Sequence, residues 1–287
     1  MAPRRLRLDA ELVRRGLARS RDHATGLVTA GRVSVNKQLA SKPAMQVSTD
    51  ADLVVKSDDA DKNYASRGGY KLQGALDRFL PLGLRVSGRR CLDAGASTGG
   101  FTDVLLRNGA AEVVAVDVGY GQMAWQLRQD ERVQVHDRTN IREISTDLLG
   151  GTVDLVVGDL SFISLTMVLD SLIEVSAADG DLVLMVKPQF EVGREKLGKG
   201  GVVREPDLRV ASVNKIVTEA MNRGWGTIAV CASPLPGPSG NIEYFLWLSP
   251  GDHQLPDGQV EAVVLASEQL LKASAIVGSD PTDERLC

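Results

Sequence analysis

From Ser66 to about residue 249 the sequence alternates short apolar runs with helix-length amphipathic stretches, and nothing else constrains the fold as strongly. Runs at 90–94, 112–117 (EVVAVD), 132–136, 154–159 (DLVVGD) and 181–187 (DLVLMVK) have strand length and are rich in branched residues. Helical patterns fall near 69–80, 100–109 and 122–129, between 159 and 178, and at 206–223. Strands separated by helices pair in parallel, so the reading is an α/β domain with a doubly wound sheet covered on both faces. Two further runs, 226–232 and 243–249, are joined by PLPGPSGN, too short for a crossover helix. That pair is a hairpin, and the final strand runs antiparallel. A helix near 258–273 and a polar tail, 275–287, expected to be disordered, close the chain.

The first 56 residues differ from the rest. They hold 11 Lys+Arg against 5 Asp+Glu, whereas the remainder holds 22 against 32, which the net charge of −4 conceals. A basic segment on an acidic body points to a polyanion-binding module. Residues 6–18 place Leu8, Leu12, Val13 and Leu17 on one helical face. Ser20 is a cap for a second helix through Thr29, ended by Gly31, and short strands are expected at 32–36 and 52–56. The segment 57–65 reads as a linker between this unit and a domain spanning 66–274.

The N-terminal unit resembles the RNA-binding domain of the ribosomal-protein-S-four type (the αL motif). Leu8-Asp9, Leu12-Val13, Gly16-Leu17, Ser20-Arg21, Ala24, Gly31, Val33, Val35-Asn36, Lys42-Pro43 and Val47 carry the resemblance. The candidate RNA contacts are Arg5, Arg7, Arg14, Arg15, Arg19, Arg21 and Lys42, together with Arg67 of the larger domain.

After the first strand of that domain comes DAGASTGG (93–100). Its glycines are spaced G-x-x-x-G-G, which fits neither the dinucleotide fingerprint nor the Walker pattern. Asp93 closes the strand; a carboxylate there repels a pyrophosphate and suits a cationic amino group. The next strand ends in Asp117, 24 residues on, where an acid accepts ribose hydroxyls. An amino acid joined to a nucleoside without phosphates is S-adenosylmethionine, which is the expected ligand. Asp93, Gly95, Ser97, Thr98, Gly99, Gly100, Phe101, Asp117 and Asp159 are its expected contacts. A sheet with a terminal antiparallel hairpin also resembles the class I (Rossmann-like) methyltransferase fold.

The residues that follow bear on the methyl acceptor. Asp159-Leu160-Ser161-Phe162 stands where amine methyltransferases carry an (Asp/Asn)-Pro-Pro-(Tyr/Phe) motif. Cys91 and Cys231 read as core residues and not as nucleophiles beside that strand end. An oxygen acceptor is the better candidate. Such a hydroxyl needs a base and nearby cations. Asp159 and Lys187 end their strands, Glu243 starts the antiparallel strand and Lys71 opens the preceding helix. All four are expected on one rim.

Lys71, Asp159, Lys187 and Glu243, in this order, resemble the tetrad of the FtsJ-type ribose 2′-O-methyltransferases. The words YASRGGYKL, LDAGASTGGFTDVLL, DVGYGQMAW, DLSFIS, VKPQFEVG and SPLPGPSGNIEYF extend the resemblance to the TlyA family of rRNA 2′-O-methyltransferases, often called haemolysins. The resemblance implies methylation of cytidine ribose in small- and large-subunit ribosomal RNA of ribosomal subunits, and an effect on sensitivity to ribosome-targeting cyclic peptides. It implies Lys187 as the base, with Lys71, Asp159 and Glu243 orienting it. Family members often have Val at the position of Ala65.

The remaining features read blandly. His23, His136 and His253 have no metal-ligand spacing, and Cys91, Cys231 and Cys287 form no disulfide framework. Trp125 reads as a core or cofactor-side residue in preference to an RNA stacking platform, and the loop 193–201, with Arg194, Lys196 and Lys199, as a mobile phosphate-contacting flap in preference to a simply disordered loop. The N-terminus lacks the apolar core of a signal peptide and no run reaches membrane-spanning length, so a cytoplasmic, reduced protein is expected. Two other classes compete with an enzyme. A membrane-acting haemolysin needs an amphipathic or spanning segment that the sequence does not display, and a non-catalytic ribosome-assembly factor has no need of the tetrad. Oligomeric state is open at this level.

Overall fold

The computed structural model describes residues 5–18, 21–29, 31–55, 64–193, 195, 197–198 and 200–277. Arg19, Ser20 and its cap, most of the linker, the three basic residues of the 193–201 loop, and the tail from 278 lie outside the described residues. The chain divides into two compact units, Met1–Asn63 and Tyr64–Cys287.

In the first unit, strand β1 (Arg5–Arg7) leads into helix α1 (Leu8–Arg14), then α2 (Arg21–Thr29), β2 (Val33–Val35), β3 (Gln38–Leu39), β4 (Gln46–Ser48) and β5 (Leu53–Val55). β1 pairs antiparallel with β4, and β2 lies between β3 and β5. Asn36 and Lys37 turn the β2–β3 hairpin with φ of 51° and 69°, the mirror-image turn that matches strand twist. Leu8, Leu12, Ala24, Leu27, Val28, Val33 and Val47 form its core. The sequence reading gives 6–18 wholly to a helix and misses the strands at 5–7, 38–39 and 46–48. Strands of two or three residues are too short for an alternation to register.

The second unit begins earlier than expected. Tyr64 is buried in its core and Ala65 donates its N–H to Asp103, so both leave the linker for this unit. Ser66 caps α3 (Arg67–Phe79) by accepting the Gly68 N–H. There follow β6 (Arg90–Ala94), α4 (Gly100–Arg107), β7 (Glu112–Val116), α5 (Trp125–Arg128), β8 (Val133–His136), α6 (Thr146–Leu149), β9 (Val153–Gly158), α7 (Leu169–Glu174), β10 (Ser176–Val186), α8 (Pro188–Glu191), α9 (Pro206–Met221), β11 (Trp225–Ala232), β12 (Tyr244–Pro250) and α10 (Gln259–Val277).

The seven strands are ordered β11-β12-β10-β9-β6-β7-β8. β6 to β10 pair in parallel, and β12 lies antiparallel between β10 and β11. Each strand alternates its residues between two cores. Leu92, Val114, Val156, Leu184 and Leu246 belong to one layer, with Val213 and Ile216 of α9. Cys91, Val113, Val157, Met185 and Phe245 belong to the other, with Leu72 and Leu76 of α3 and Leu105 of α4. By that alternation Asp93 faces α4.

Three expected elements change. The helix between 159 and 178 shrinks to α7 after a loop in which Phe162 has φ 65° and Ser164 caps a 3-10 turn at Leu165–Met167. The helix near 122–129 is only α5. The C-terminal helix runs to Val277, so 275–277 are helical and not part of a disordered tail.

Candidate active site

β6 has β7 on one side and β9 on the other, so the chain order reverses there and a crevice opens beyond the carboxyl ends of the strands. Two clefts occupy this edge. The first, about 200 Å³, is walled by the glycine loop (Gly95 to Thr98, then Gly100 and Phe101), by Ser66 to Gly68 and Lys71 of α3, and by Asp159. The second, about 590 Å³, is bounded by Ser161 to Ser164 after β9, Lys187 at the end of β10, and Glu243 before β12. Both clefts reach Pro238.

The tetrad forms the partition between them. Lys71 Nζ lies 2.5 Å from Glu243 Oε2, and Lys187 Nζ lies 2.6 Å from Asp159 Oδ1. Lys71 and Asp159 line the first cleft and Lys187 and Glu243 the second, so each ion pair has one member in each. Lys71, Lys187 and Glu243 are buried and Asp159 is half-buried. Lys187 also donates to Ser161 Oγ at 2.7 Å, a partner that the sequence reading missed. The four-residue rim read from strand ends is therefore present as two crossed pairs.

The expected cofactor contacts divide into wall and support. Gly95, Ser97, Thr98, Gly100, Phe101 and Asp159 line the first cleft; Asp93, Gly99 and Asp117 lie outside its wall. Gly99 has φ 90°, and a Cβ there would run into Leu127, while one on Gly100 would run into Ser66. These two glycines thus serve packing within the protein as well as approach to a ligand. Asp117 accepts the N–H of Ser97 at 2.8 Å and that of Gly119 at 2.7 Å. It thereby holds Ser97 at φ 46°, a left-handed conformation that costs a non-glycine residue roughly 1–3 kcal/mol.

Asp93 is fully buried beneath the loop. Thr102 donates to its Oδ2 at 2.6 Å, and its Oδ1 has no hydrogen-bond partner among the described residues. Burial pushes the carboxyl up to about 7, with the Thr102 hydrogen bond opposing and Asp159 and Asp117 reinforcing the shift. An orphaned buried carboxylate oxygen under a glycine cradle fits a ligand that brings a cationic amino group. Burial likewise pushes the thiols of Cys91 and Cys231 up to about 12, so neither supplies a thiolate nucleophile at neutral pH.

The core alternative for Trp125 is overturned. Trp125 is 71% exposed and belongs to no core, because α5 is a single turn that gives it no opposing layer. Phe162 is 91% exposed and packs its ring against Phe190 with centroids 5.3 Å apart. Arg67, grouped with the RNA contacts, is on the wall of the first cleft.

In the N-terminal unit two buried acids organise four of the predicted RNA contacts. Asp9 accepts from Arg7 at 2.8 and 3.1 Å and from Arg21 at 3.0 Å. Glu11 accepts from Arg14 at 2.6 and 2.7 Å and from Arg15 at 2.7 Å. The Arg14 hydrogen bonds foremost hold Glu11 down at about 2, and Arg7 foremost holds Asp9 well below the carboxylate range. Arg15 is the most tightly held of the four. It also donates to the carbonyls of Ala51 and Thr49 at 2.7 and 2.9 Å, so its guanidinium is bound into the fold. Arg5, Arg7, Arg14, Arg21 and Lys42 are exposed. Among the described residues no acid, His or Cys cluster is arranged to hold a metal, and no helix is long and apolar enough to cross a membrane.

A parallel sheet with its antiparallel strand between the last two neighbours, a glycine loop at the reversal point and a lysine–carboxylate tetrad define a class I methyltransferase with a small appended domain. The FtsJ-like methyltransferase family matches residues 64–249 and the S4 domain residues 6–53. The chain belongs to the FtsJ-like methyltransferase family. It is 57% identical over 245 residues to the 16S/23S rRNA (cytidine-2′-O)-methyltransferase TlyA of Mycobacterium tuberculosis, covering 85% of this chain and 90% of that protein. It is 40% identical to YqxC of Bacillus subtilis over 95% of this chain and 97% of the relative. A solved haemolysin-named structure from Streptococcus thermophilus superposes with a TM-score of 0.72 at 35% identity, covering 96% of this chain and all of the other.

Proposed function

We propose that this chain methylates the ribose 2′-hydroxyl of cytidine in 16S ribosomal RNA, 23S ribosomal RNA or both, within ribosomal subunits, using S-adenosylmethionine. Residues 1–56 bind the RNA and the unit that starts at Tyr64 carries the reaction, in the cytoplasm where subunits are found. The same modification alters sensitivity to ribosome-targeting cyclic peptide antibiotics. The observation that carries the reading is the pair of crossed ion bridges, each with one member in the glycine-loop cleft and one in the larger cleft. High identity to a cytidine-2′-O-methyltransferase supports the choice of acceptor.

S-adenosylmethionine, when bound, supplies an electrophilic methyl group on a sulfonium. Asp93, Gly95, Ser97, Thr98, Gly100, Phe101 and Asp159 hold it on the smaller cleft, and Asp117 fixes the loop and receives the ribose hydroxyls. In the larger cleft Lys187 takes the proton of the 2′-hydroxyl. For this Lys187 must enter the step as the neutral amine, its ammonium proton having gone to solvent, and turn its electron pair from Asp159 and Ser161 towards the hydroxyl. Lys71, held by Glu243, places a positive charge beside the oxygen as its negative charge grows.

The test is transfer of labelled methyl to purified subunits. Lys187→Ala is expected to bind cofactor and RNA yet lose roughly 10²–10⁴-fold in turnover. Lys187→Arg is not expected to rescue it, because a guanidinium stays protonated. Near-normal turnover by Lys187→Arg would move the base elsewhere. Leakage of liposomes by the purified protein, without methyl transfer, would replace the enzymatic reading with a membrane-acting one.

A further inference from the structure

We propose that Glu191 is a positioning residue for methyl transfer, holding the far end of the 159–165 loop so that Ser161 stays set against Lys187. The inference rests on the reading of Lys187 as the proton acceptor.

Glu191 ends α8, four residues after Lys187, and its side chain is almost wholly buried. Its carboxylate is fully engaged. Oε2 accepts from Ser164 Oγ at 2.5 Å, Oε1 accepts the Leu165 N–H at 2.8 Å, and Lys215 Nζ of α9 approaches Oε2 at 3.2 Å. Bonds to an ionised acceptor are stronger and shorter than neutral ones, so this is a firm anchor. At its near end the loop is fixed by β9 and by the Asp159 N–H, which donates to the Ala94 carbonyl at 3.1 Å.

The same two chain segments are thus joined twice. Lys187 meets Asp159 and Ser161, and one helical turn later Glu191 meets Ser164 and Leu165. Between these two staples lies Phe162, with a left-handed backbone at φ 65° and its ring exposed. A large aromatic residue holds that conformation only where its flanks are fixed. Releasing the Glu191 staple leaves the far end of the loop held only by the burial of Leu165 and the Ser164 cap, and Ser161 and Phe162 lie on the loosened portion. The partners of the Glu191 carboxylate are Ser164, Leu165 and Lys215, none of which lines the glycine-loop cleft.

The experiment compares wild type, Glu191→Gln, Ser161→Ala and the double variant on intact subunits, with cofactor affinity measured separately. The amide of Glu191→Gln keeps the volume and one acceptor but cannot accept from Ser164 through its nitrogen. Turnover is expected to fall at least tenfold, with cofactor affinity within about twofold of wild type and KM for subunits moving less than kcat. The losses from Glu191→Gln and Ser161→Ala are expected not to multiply, because one acts through the other. Wild-type turnover in Glu191→Gln, multiplying losses, or a turnover loss that merely tracks the folded fraction would overturn the positioning role. Should Lys187→Ala keep wild-type turnover, the underlying reading falls and takes this inference with it. A defect in Glu191→Gln alone, with Lys187 essential and Ser161→Ala fully active, overturns only the route through Ser161.

Discussion

Lys71 and Glu243 form a 2.5 Å ion pair across 172 residues of sequence, and the pair is buried. Burying both charges is tolerable because each satisfies the other; removing one leaves an uncompensated charge. Glu243→Ala is therefore expected to destabilise the catalytic unit by roughly 3–5 kcal/mol. The apolar double variant Lys71→Met/Glu243→Leu should recover most of that stability and none of the methyl transfer. Urea denaturation beside a turnover assay checks this, and recovered turnover would mean that the pair is structural only.

Asp93 gives a pH dependence with a defined sign. Its folded value of about 7 lies above the ordinary 3.8, so its contribution to stability is complete below about pH 4 and is lost as pH rises through 7. A ligand ammonium favours the ionised form, so cofactor affinity should rise between pH 5.5 and 7.5, by at most about tenfold per unit. Asp93→Asn should bind weakly with a flat profile. Calorimetry across that range decides; a wild-type affinity that does not change with pH removes Asp93 from the amino-group site.

Arg14 and Arg15 share Glu11 but should behave differently. Arg15 also satisfies two backbone carbonyls, so Arg15→Ala is expected to cost the N-terminal unit about 1–3 kcal/mol. Arg14 is exposed beyond its carboxylate, so Arg14→Ala should barely change stability, weaken RNA binding and flatten the log–log salt dependence by roughly 0.7–0.9 per lost phosphate contact. Unfolding and filter-binding titrations at several salt concentrations separate the two. Equal effects on both measurements would contradict the division.

Much of this molecule was legible from residue order. The parallel strands, the hairpin after PLPGPSGN and the rim placement of Lys71, Asp159, Lys187 and Glu243 follow from strand ends, and strand ends are set by apolar runs. Partner choice was not legible. Which lysine pairs with which acid depends on side-chain reach across the sheet edge, and so does the Lys187–Ser161 bond. The same limit applies to Asp117, where spacing indicates a ligand-facing acid but not the backbone N–H groups that it already holds. Trp125 is exposed and not in a core, because hydrophobicity predicts burial only where an element is long enough to present a face.

On the proposed reaction a ribose oxygen receives the methyl group. Ribosomal subunits treated with the protein and S-adenosylmethionine can be stripped to RNA and hydrolysed in alkali, which cleaves wherever a free 2′-hydroxyl attacks the neighbouring phosphate. Methylation of a cytidine 2′-oxygen is expected to leave label in an alkali-resistant dinucleotide whose 5′ residue is cytidine, absent with Lys187→Ala. Label that survives on a nucleobase within fully cleaved mononucleotides would contradict it.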